Sequence, residues 1–463
     1  MDFIYGLAVV LVIFERIIIQ CKCADDATSS IIDTKIDQQL LPNELIGMIL
    51  SKFDFETIKR AMEEMTVPPD YLVMSRILQD DIIRIMPNFD GGIFEIQSEG
   101  DSFLEINSYE KVESFLRNFG DKVKKIEIWY YNDVRSNEIN ENFIKKYGKN
   151  LEELRIHMQN DKRFWEVISN GENNIIFPKV KKLQIMGNFP SEIKLNLIFP
   201  NLESVKLDAI VADENCLANV RTLKELILYY SSIPERKLGD IFANNQNITK
   251  IHLYMPNRAE TVKSIAKHLT KLETLEVEFP RQNFMVRANN NPVYNFPSVI
   301  HFVIVFFEID ENIGIGNLSF NMPNLKKLTL KRTQTDDRFV NFIEQFKKLK
   351  IVEFSVENVD AVKCIQNLNY IEEFTITFSV KESVSVEEMF KNFDKTSELQ
   401  TMKFVNVDES KCQYYENNMQ KINDHLEKSM KPTWTLSHGK QIGTGENYLM
   451  FKRNPCTCNS CKK

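Results

Sequence analysis

The sequence predicts an α/β solenoid of about 12 irregular repeats, preceded by a small module of three helices. Three observations lead to this prediction. A six-residue pattern, apolar-x-x-apolar-x-apolar, returns at near-regular intervals between Val123 and Phe404. Apolar helix patterns punctuated by proline precede it, between Gln39 and Met86. The composition, 43% hydrophobic and 27% charged with only 15 Gly and 15 Pro, is that of a folded chain and not of a disordered one.

The repeats are the strongest signal, because the hexamer occurs twelve times in phase. At 43% apolar composition a single match arises by chance in roughly one window in twelve. The first and last hexamers begin 276 residues apart, so the mean spacing is about 25 residues. No repeat can bury its own apolar face, so stacked neighbours have to supply the core. The hexamers begin at Val123, Leu151, Val180, Leu202, Leu223, Ile248, Leu272, Val299, Leu325, Leu349, Ile371 and Leu399.

This stretch resembles the leucine-rich-repeat family over about 280 residues, with a spacing inside the roughly 20–29 residues of that family. The resemblance implies a short strand at each hexamer, with its apolar positions inward, and a turn or helix on the convex return. The asparagine that the family places three residues after the hexamer is clear only at Asn188. That departure predicts an irregular arc.

A small helical module is predicted between Gln39 and Met86. Pro42 stands where a first helical turn tolerates proline. Leu45, Ile49 and Phe53 then follow at four-residue spacing, which places them on one face of a helix. Two further short helical patterns follow before the repeats begin.

The module resembles an F-box over about 45 residues. The family opening, Leu-Pro-x-Glu-Leu followed by apolar and aromatic positions, is matched at Leu41, Pro42, Glu44, Leu45, Ile49, Leu50 and Phe53. Val67-Pro68-Pro69 departs from the Cys or Trp that is usual later in the family. The resemblance implies binding to a Skp-type adaptor, and through it to a cullin and a RING subunit, by Leu41, Pro42, Leu45, Ile49, Leu50 and Phe53. The residues themselves also allow a second interpretation, a helical cap on the first strand of the array.

The first 23 residues are expected to form a secretory signal peptide. Phe3–Phe14 is an apolar run of 12 residues, too short for a bilayer span of about 20 but suited to a signal peptide, and Cys21-Lys22-Cys23 offers a cleavage site. Against this, Asp2 replaces the usual basic flank and Glu15-Arg16 interrupts the apolar stretch. The alternative is an apolar N-terminal helix of a cytosolic protein. Stable membrane insertion is expected in neither case.

Composition argues against several classes of function. The 58 basic and 65 acidic residues give a net charge of −7, so no strong basic field would attract nucleic acid. No P-loop, G-x-S-x-G or H-E-x-x-H motif occurs. We therefore expect no catalytic activity, no cofactor and no metal. The closely spaced Cys456, Cys458 and Cys461 leave zinc binding, disulfides and a loose reactive tail open.

Strand residues that alternate with the inward apolar ones are expected to face solvent on the concave side. Because neighbouring strands lie about 4.8 Å apart, three aromatic side chains should cluster beside an acidic pair. The expected target-binding residues are Trp129, Tyr229, His252, Tyr254, Glu276, Glu278 and His301. Further positions of the same kind are Arg155, His157, Lys206, Asp208, Val303 and Val305. Ordinary cross-strand packing is the alternative role for such residues.

Five segments follow from these patterns. They are a signal peptide at 1–23, an F-box-like module at 39–86, a cap or linker at 87–122, the leucine-rich-repeat array at 123–410, and a C-terminal cap hairpin with a Cys-rich tail at 411–463.

The order of these segments resembles that of secreted salivary F-box and leucine-rich-repeat effectors of gall midges. The resemblance implies a substrate-recognition subunit of a cullin-RING ubiquitin ligase that is secreted, acts in host cytoplasm or nucleus, and binds an unidentified protein target. Two alternatives stay open. One is an endogenous cytosolic F-box protein, and the other is an extracellular repeat protein that binds a ligand and has no ligase role.

Cleavage after Cys23 would leave a mature chain that starts near Ala24. We expect mass spectrometry of the protein secreted from eukaryotic cells to find that N-terminus, because the small residues at 21 and 23 fit the signal peptidase. A chain that stays in the cells and keeps residues 1–23 would contradict secretion.

Overall fold

A computed structural model describes parts of the chain between Ile82 and Arg453. All described residues belong to the second of two compact units, Asp54–Lys463. The expected signal peptide, the expected adaptor-binding residues Leu41 to Phe53, Asn188 and the three C-terminal cysteines lie outside the described residues. The described ranges are 82–87, 94–97, 103–106, 109–130, 133–158, 163–169, 175–187, 193–208, 216–217, 219–229, 233–254, 259–279, 293–306, 319–333, 342–356, 370–382, 398–407, 412–414, 417–418, 434–440 and 446–453.

The described elements are strands connected by short helices and turns. The strands are β1 (Ile83–Pro87), β2 (Phe94–Gln97), β3 (Phe103–Ile106), β4 (Lys125–Tyr130), β5 (Glu153–Met158), β6 (Lys182–Gly187), β7 (Ser204–Asp208), β8 (Glu225–Tyr229), β9 (Lys250–Tyr254), β10 (Thr274–Phe279), β11 (Val293–Asn295), β12 (His301–Phe306), β13 (Ser319–Asn321), β14 (Lys327–Thr333), β15 (Ile351–Val356), β16 (Glu373–Glu382), β17 (Thr401–Val407), β18 (Trp434–Lys440) and β19 (Asn447–Arg453). The α-helices are α1 (Tyr109–Phe119), α2 (Val134–Tyr147), α3 (Arg163–Ser169), α4 (Leu195–Ile198), α5 (Glu235–Asn244) and α6 (Ala259–His268), and a 3-10 helix spans Gly148–Asn150.

Seventeen of the strands form one sheet. Its central part is parallel and runs in chain order from β4 to β17, without β11 and β13, which pair with each other. The fold is therefore mixed α/β with a large, mostly parallel sheet, as the sequence predicts. Parallel strands in chain order, each followed by a return, are compatible with a solenoid.

Each of the twelve hexamers coincides with one parallel strand, which begins at the third residue of the hexamer. All three apolar positions of every hexamer are buried, and none is more than 5% exposed. They join one hydrophobic core with residues of the returns, such as Ile139 and Phe143 of α2 and Phe242 of α5. The core therefore lies between the sheet and its helices, and the other face of the sheet carries the remaining strand residues.

A forked backbone hydrogen bond joins every pair of neighbouring hexamers. The carbonyl of Lys124 accepts the N–H groups of Glu152 (2.7 Å) and Glu153 (3.1 Å). The same arrangement recurs at all eleven junctions, so that each carbonyl at the second hexamer position serves the second and third residues of the next repeat. This bond fixes the register of each strand at its first residue.

Side chains reinforce the stacking between repeats. The Asn201 amide donates to the Pro178 carbonyl of the preceding repeat at 2.8 Å, and Asn324 bonds to Pro297 in the same way at 2.8 Å. Both asparagines follow a proline and precede the first leucine of a hexamer. In both cases a Pro-Asn pair before a strand is thereby bonded to the proline that stands before the preceding strand.

The N-terminal end of the sheet corrects one predicted boundary. Ile83–Met86, assigned above to the helical module, lies in strand β1, which pairs in parallel with β4. Strands β2 and β3 follow as antiparallel neighbours. The reason is local sequence: Ile83 and Ile85 stand in register with Ile126 and Ile128, so this segment continues the apolar pattern of the array.

At the C-terminal end, β18 and β19 form an antiparallel hairpin that pairs with β17 through β19. Trp434 and Leu436 of β18 and Leu449 and Phe451 of β19 are buried there. They cover the last strand of the parallel region, at the place where a terminal hairpin was expected. Among the helices that the structure describes, none combines the length and apolar character needed to cross a bilayer.

Asn245 offers a test of the packing between repeats. Its buried amide donates to the carbonyls of Val220 (2.7 Å) and Ile241 (2.9 Å), and its oxygen accepts the Leu223 N–H (3.2 Å). We expect Asn245→Ala to lower the free energy of unfolding by about 2–4 kcal/mol, because it leaves buried backbone groups without partners.

Urea denaturation followed by circular dichroism would measure this loss. Gln246→Ala is the matched control, because its neighbouring side chain is exposed, and we expect it to change stability by less than about 0.5 kcal/mol. Equal effects of the two substitutions would contradict the role assigned to Asn245.

Candidate functional site

The sheet face opposite the core carries the candidate site, and we call it the polar face. It consists of the third, fifth and seventh positions counted from the start of each hexamer. The fifth positions form one continuous row across the parallel strands, aligned by their register. In order, they are Glu127, Arg155, Gln184, Lys206, Ile227, His252, Glu276, Val303, Thr329, Glu353, Thr375 and Lys403.

A buried carboxylate organises the N-terminal end of the polar face. Glu127, only 5% exposed, accepts bonds from Arg84 Nε (3.1 Å) and Trp129 Nε1 (3.0 Å). His157 Nε2 lies 3.1 Å from Glu127 Oε1, the oxygen that also accepts from Trp129. Arg155 Nη1 lies 3.8 Å from Oε2, the oxygen that accepts from Arg84. The rings of Trp129 and His157 stack at a centroid distance of 3.8 Å. Four side chains from three strands are thereby held around one carboxylate.

Burial alone would raise the pKa of Glu127, but its partners reverse that effect. The hydrogen bond and charge of His157, the charge of Arg84 and the Trp129 donor lower the pKa of Glu127 from 4.5 to about 2. The carboxylate therefore stays ionised at all ordinary pH values. The negative charge of Glu127 therefore stabilises the folded arrangement of the side chains around it.

The expected aromatic and acidic cluster forms in the middle of the polar face. The Tyr229 hydroxyl lies 3.0 Å from His252 Nδ1, and the Tyr229 ring lies 6.3 Å from that of Tyr254. His252 Nδ1 is 3.5 Å from Glu276 Oε2, and its Nε2 is 3.6 Å from Glu278 Oε1. Five of the seven expected target-binding residues are thus brought together.

Tyr229 is held as a neutral phenol. Burial raises the pKa of Tyr229 to about 12, and the negative charges of Glu276, Glu278 and Asp208 add to this effect. A phenol with that pKa keeps its proton at neutral pH, so the Tyr229 hydroxyl serves as a hydrogen-bonding group.

Two of the expected residues lie away from this cluster. Trp129 is on β4, four strands before β8, and contacts His157 instead. His301 is on β12, where its Nε2 lies 3.2 Å from the Thr329 hydroxyl. Burial, with help from Lys327, lowers the pKa of His301 below 6.5.

The expectation that all these positions face solvent is wrong for three of them. His252 is 7% exposed, and Val303 and Val305 are buried as well. The cause is coverage by neighbouring side chains. Lys331 on β14 reaches Glu276 on β10 at 3.2 Å, and this ion pair crosses β12, which carries both valines.

Sequence reasoning missed a cavity of about 630 Å³ on the C-terminal half of the polar face. Residues of six successive parallel strands, β10, β12 and β14 to β17, line it. A cavity across so many strands of one face indicates that the sheet curves toward that face here. The missed residues are Thr329, Glu353, Ser355, Thr375, Thr377 and Lys403. They occupy the fifth and seventh positions of the last four repeats, as the expected residues do in earlier repeats. Extending the same position rule to the end of the array would have identified them.

Comparison with known proteins gives no match: no family model fits the chain, and no curated protein is similar to it. Within the described ranges, no group of three or more His, Cys, Asp or Glu side chains is arranged to hold a metal ion.

The low pKa of Glu127 predicts acid-dependent stability. Its folded pKa lies below its unfolded value of 4.5, so its contribution, roughly 3 kcal/mol, is complete above pH 4.5 and is lost as pH falls toward 2. We expect the difference in unfolding free energy between wild type and Glu127→Gln to shrink over that range.

Urea denaturation at pH 2.5, 3.5, 4.5 and 6 would measure the difference. Glu152→Gln is the control, because this half-exposed carboxylate forms a surface ion pair with Lys124 at 3.3 Å, of the kind that contributes little. If the Glu127→Gln difference stays constant over the pH series, the charge of Glu127 is not what its neighbours stabilise.

Proposed function

We propose that the chain is a non-catalytic substrate-recognition subunit of a cullin-RING (SCF-type) ubiquitin ligase, or a secreted mimic of one. Its F-box helices bind a Skp-type adaptor, and its leucine-rich-repeat array binds a target protein. The subunit makes no bonds itself. It supplies proximity, by holding the target near a charged ubiquitin-conjugating enzyme.

The observation that carries the proposal is the match to the F-box opening in the part of the chain that precedes the repeat array. Leu41-Pro42 and Glu44-Leu45 are followed by apolar positions at Ile49 and Phe53, a helix face suited to an adaptor groove. The array begins about 80 residues later, at Val123. A recruiting helix module followed by a recognition array is the order of parts that a ligase receptor needs.

The leucine-rich-repeat assignment is supported by register and burial. Twelve hexamers at a mean spacing of about 25 residues each supply one parallel strand with buried apolar positions. That is the behaviour expected of this repeat class. The array leaves one face free of core residues, and the mixed charges and aromatic rings on it suit a protein partner.

The location is proposed from the sequence alone. The apolar run of the first 23 residues and the likeness to secreted effectors support export, followed by action in the cytoplasm or nucleus of a host. The same recognition chemistry would serve a protein that stays in its own cytosol.

Binding to a purified Skp-type adaptor tests the proposal. We expect the full chain to bind it, and both Leu45→Asp and Ile49→Asp to weaken binding at least tenfold, because each places a charge on the apolar helix face. Surface plasmon resonance with immobilised adaptor would give the affinities.

Lys206→Glu, a charge change on the polar face, is the matched control and should bind the adaptor as wild type does. Circular dichroism would establish that all four proteins are folded. Equal adaptor affinity of wild type, Leu45→Asp and Ile49→Asp, or no affinity at all, would refute the ligase role and favour an extracellular ligand-binding protein.

A further inference from the structure

The cavity on the C-terminal half of the polar face has a charge pattern that defines a ligand. Its volume of about 630 Å³ lies within the roughly 300–1,000 Å³ of typical ligand sites. Four charged side chains line it, namely Glu278, Lys331, Glu353 and Lys403. Which of these charges is already neutralised decides what the cavity can bind.

The two charges in the middle of the cavity are neutralised within the chain. Glu353 accepts from Lys327 Nζ and from the Thr329 hydroxyl, both at 2.9 Å. Lys331 Nζ pairs with Glu276 at 3.2 Å. A ligand therefore gains little from charge complementarity with either of them.

The charges at the two ends are neutralised less completely. At one end, Glu278 Oε2 is buried and has no hydrogen-bond partner among the described residues. Its other oxygen is 3.6 Å from His252 Nε2, too far for a good hydrogen bond. At the other end, the Lys403 ammonium lies 4.8 Å from the centre of the Tyr448 ring and forms no ion pair with any residue that the structure describes. One end thus carries a carboxylate whose side chain is 14% exposed, and the other carries a cation.

The separation of these ends indicates an elongated ligand. Glu278 is on β10 and Lys403 on β17, which are five interstrand spacings apart, or roughly 24 Å along the sheet. An extended peptide advances about 3.3 Å per residue, so about seven residues cover that distance. A single amino acid cannot reach both ends.

The floor between the ends is suited to a peptide backbone. Ser355, Thr375 and Thr377 line the cavity between Glu353 and Lys403. Each hydroxyl can both donate to a carbonyl and accept from an N–H. Side-chain hydroxyls of this kind bind a backbone without selecting its sequence, so selectivity falls to the charged ends.

We propose that this cavity holds an extended segment of the target, about seven residues long, with a basic side chain at Glu278 and an acidic side chain at Lys403. The inference rests on the proposed function for the existence of a protein target. The ligand chemistry itself comes from the charges and spacing of the cavity.

Peptide binding to the purified full chain tests this without any adaptor. Four sets of heptapeptides with randomised centres would carry Lys and Glu, two Lys, two Glu, or two Ala at their ends. We expect wild type to bind the Lys/Glu set at least tenfold more tightly than the Ala/Ala set in fluorescence anisotropy.

Charge reversal then locates the site. Lys403→Glu should shift the preference to the Lys/Lys set, and Glu278→Lys should shift it to the Glu/Glu set. Lys146→Glu is the matched control: this lysine is on α2, away from the polar face, and its ammonium also lies over a tyrosine ring, 4.8 Å from the centre of Tyr147. That variant should keep the Lys/Glu preference.

Three results would overturn the inference: equal binding of all four sets, an unchanged preference in Lys403→Glu, or binding of free lysine or glutamate that depends on Lys403. The adaptor experiment varies residues 45 and 49 and leaves the cavity intact. A charge-selective cavity in a chain that does not bind adaptor would therefore refute the ligase role alone, and the reverse result would refute the peptide site alone.

Discussion

One carbonyl at the start of each strand holds the array in register. It accepts two N–H groups from the next repeat at all eleven junctions. In a strand the side chains alternate between faces, so a slip of one residue would move the apolar side chains at the fourth and sixth hexamer positions to the polar face. The spacing between hexamers varies from 21 to 29 residues. Because register is fixed at the strand, the returns can absorb this variation without disturbing the core.

The same register determines how charges meet on the polar side of the sheet. Opposite charges on neighbouring strands lie close enough to pair. Lys250 and Glu225, at equivalent positions, are 2.6 Å apart, and Lys327 and Glu353, at diagonal positions, are 2.9 Å apart. Partly exposed pairs of this kind add little stability. Their effect is on recognition, because a charge that is neutralised within the chain no longer attracts a partner. The few charges left over then determine selectivity.

The strands could be predicted from the sequence because side chains in a strand alternate between core and surface, and the spacing of apolar residues in the hexamer follows that alternation. Strand β1 escaped this pattern since Asp80 stands where the first apolar residue of a hexamer would be, although Ile83 and Ile85 fit the other two apolar positions. The grouping of Tyr229, His252 and Tyr254 was also predictable, since it follows from strand spacing alone.

The burial of some polar-face residues and the position of the cavity could not be predicted in this way. Val303 is covered because Lys331 reaches across β12 to Glu276, a contact between side chains two strands apart that no local pattern records. The cavity depends on the curvature of the sheet over six strands. Curvature is set by the bulk and packing of many returns together, and the hexamers carry no information about it.

The cluster of Tyr229, His252 and Tyr254 and the cavity share the acidic residues of β10, so the two act together. The Tyr229 hydroxyl and His252 Nδ1 are bonded to each other, and His252 is only 7% exposed, which makes both side chains poor points of attachment. Their packing nevertheless fixes the end of β10, and the Lys331 pair restrains Glu276 two residues before Glu278. A carboxylate held in place before binding loses little conformational entropy when a partner arrives. In this arrangement the aromatic cluster contributes to recognition indirectly, because His252 restrains the carboxylates of Glu276 and Glu278 at the acidic end of the cavity.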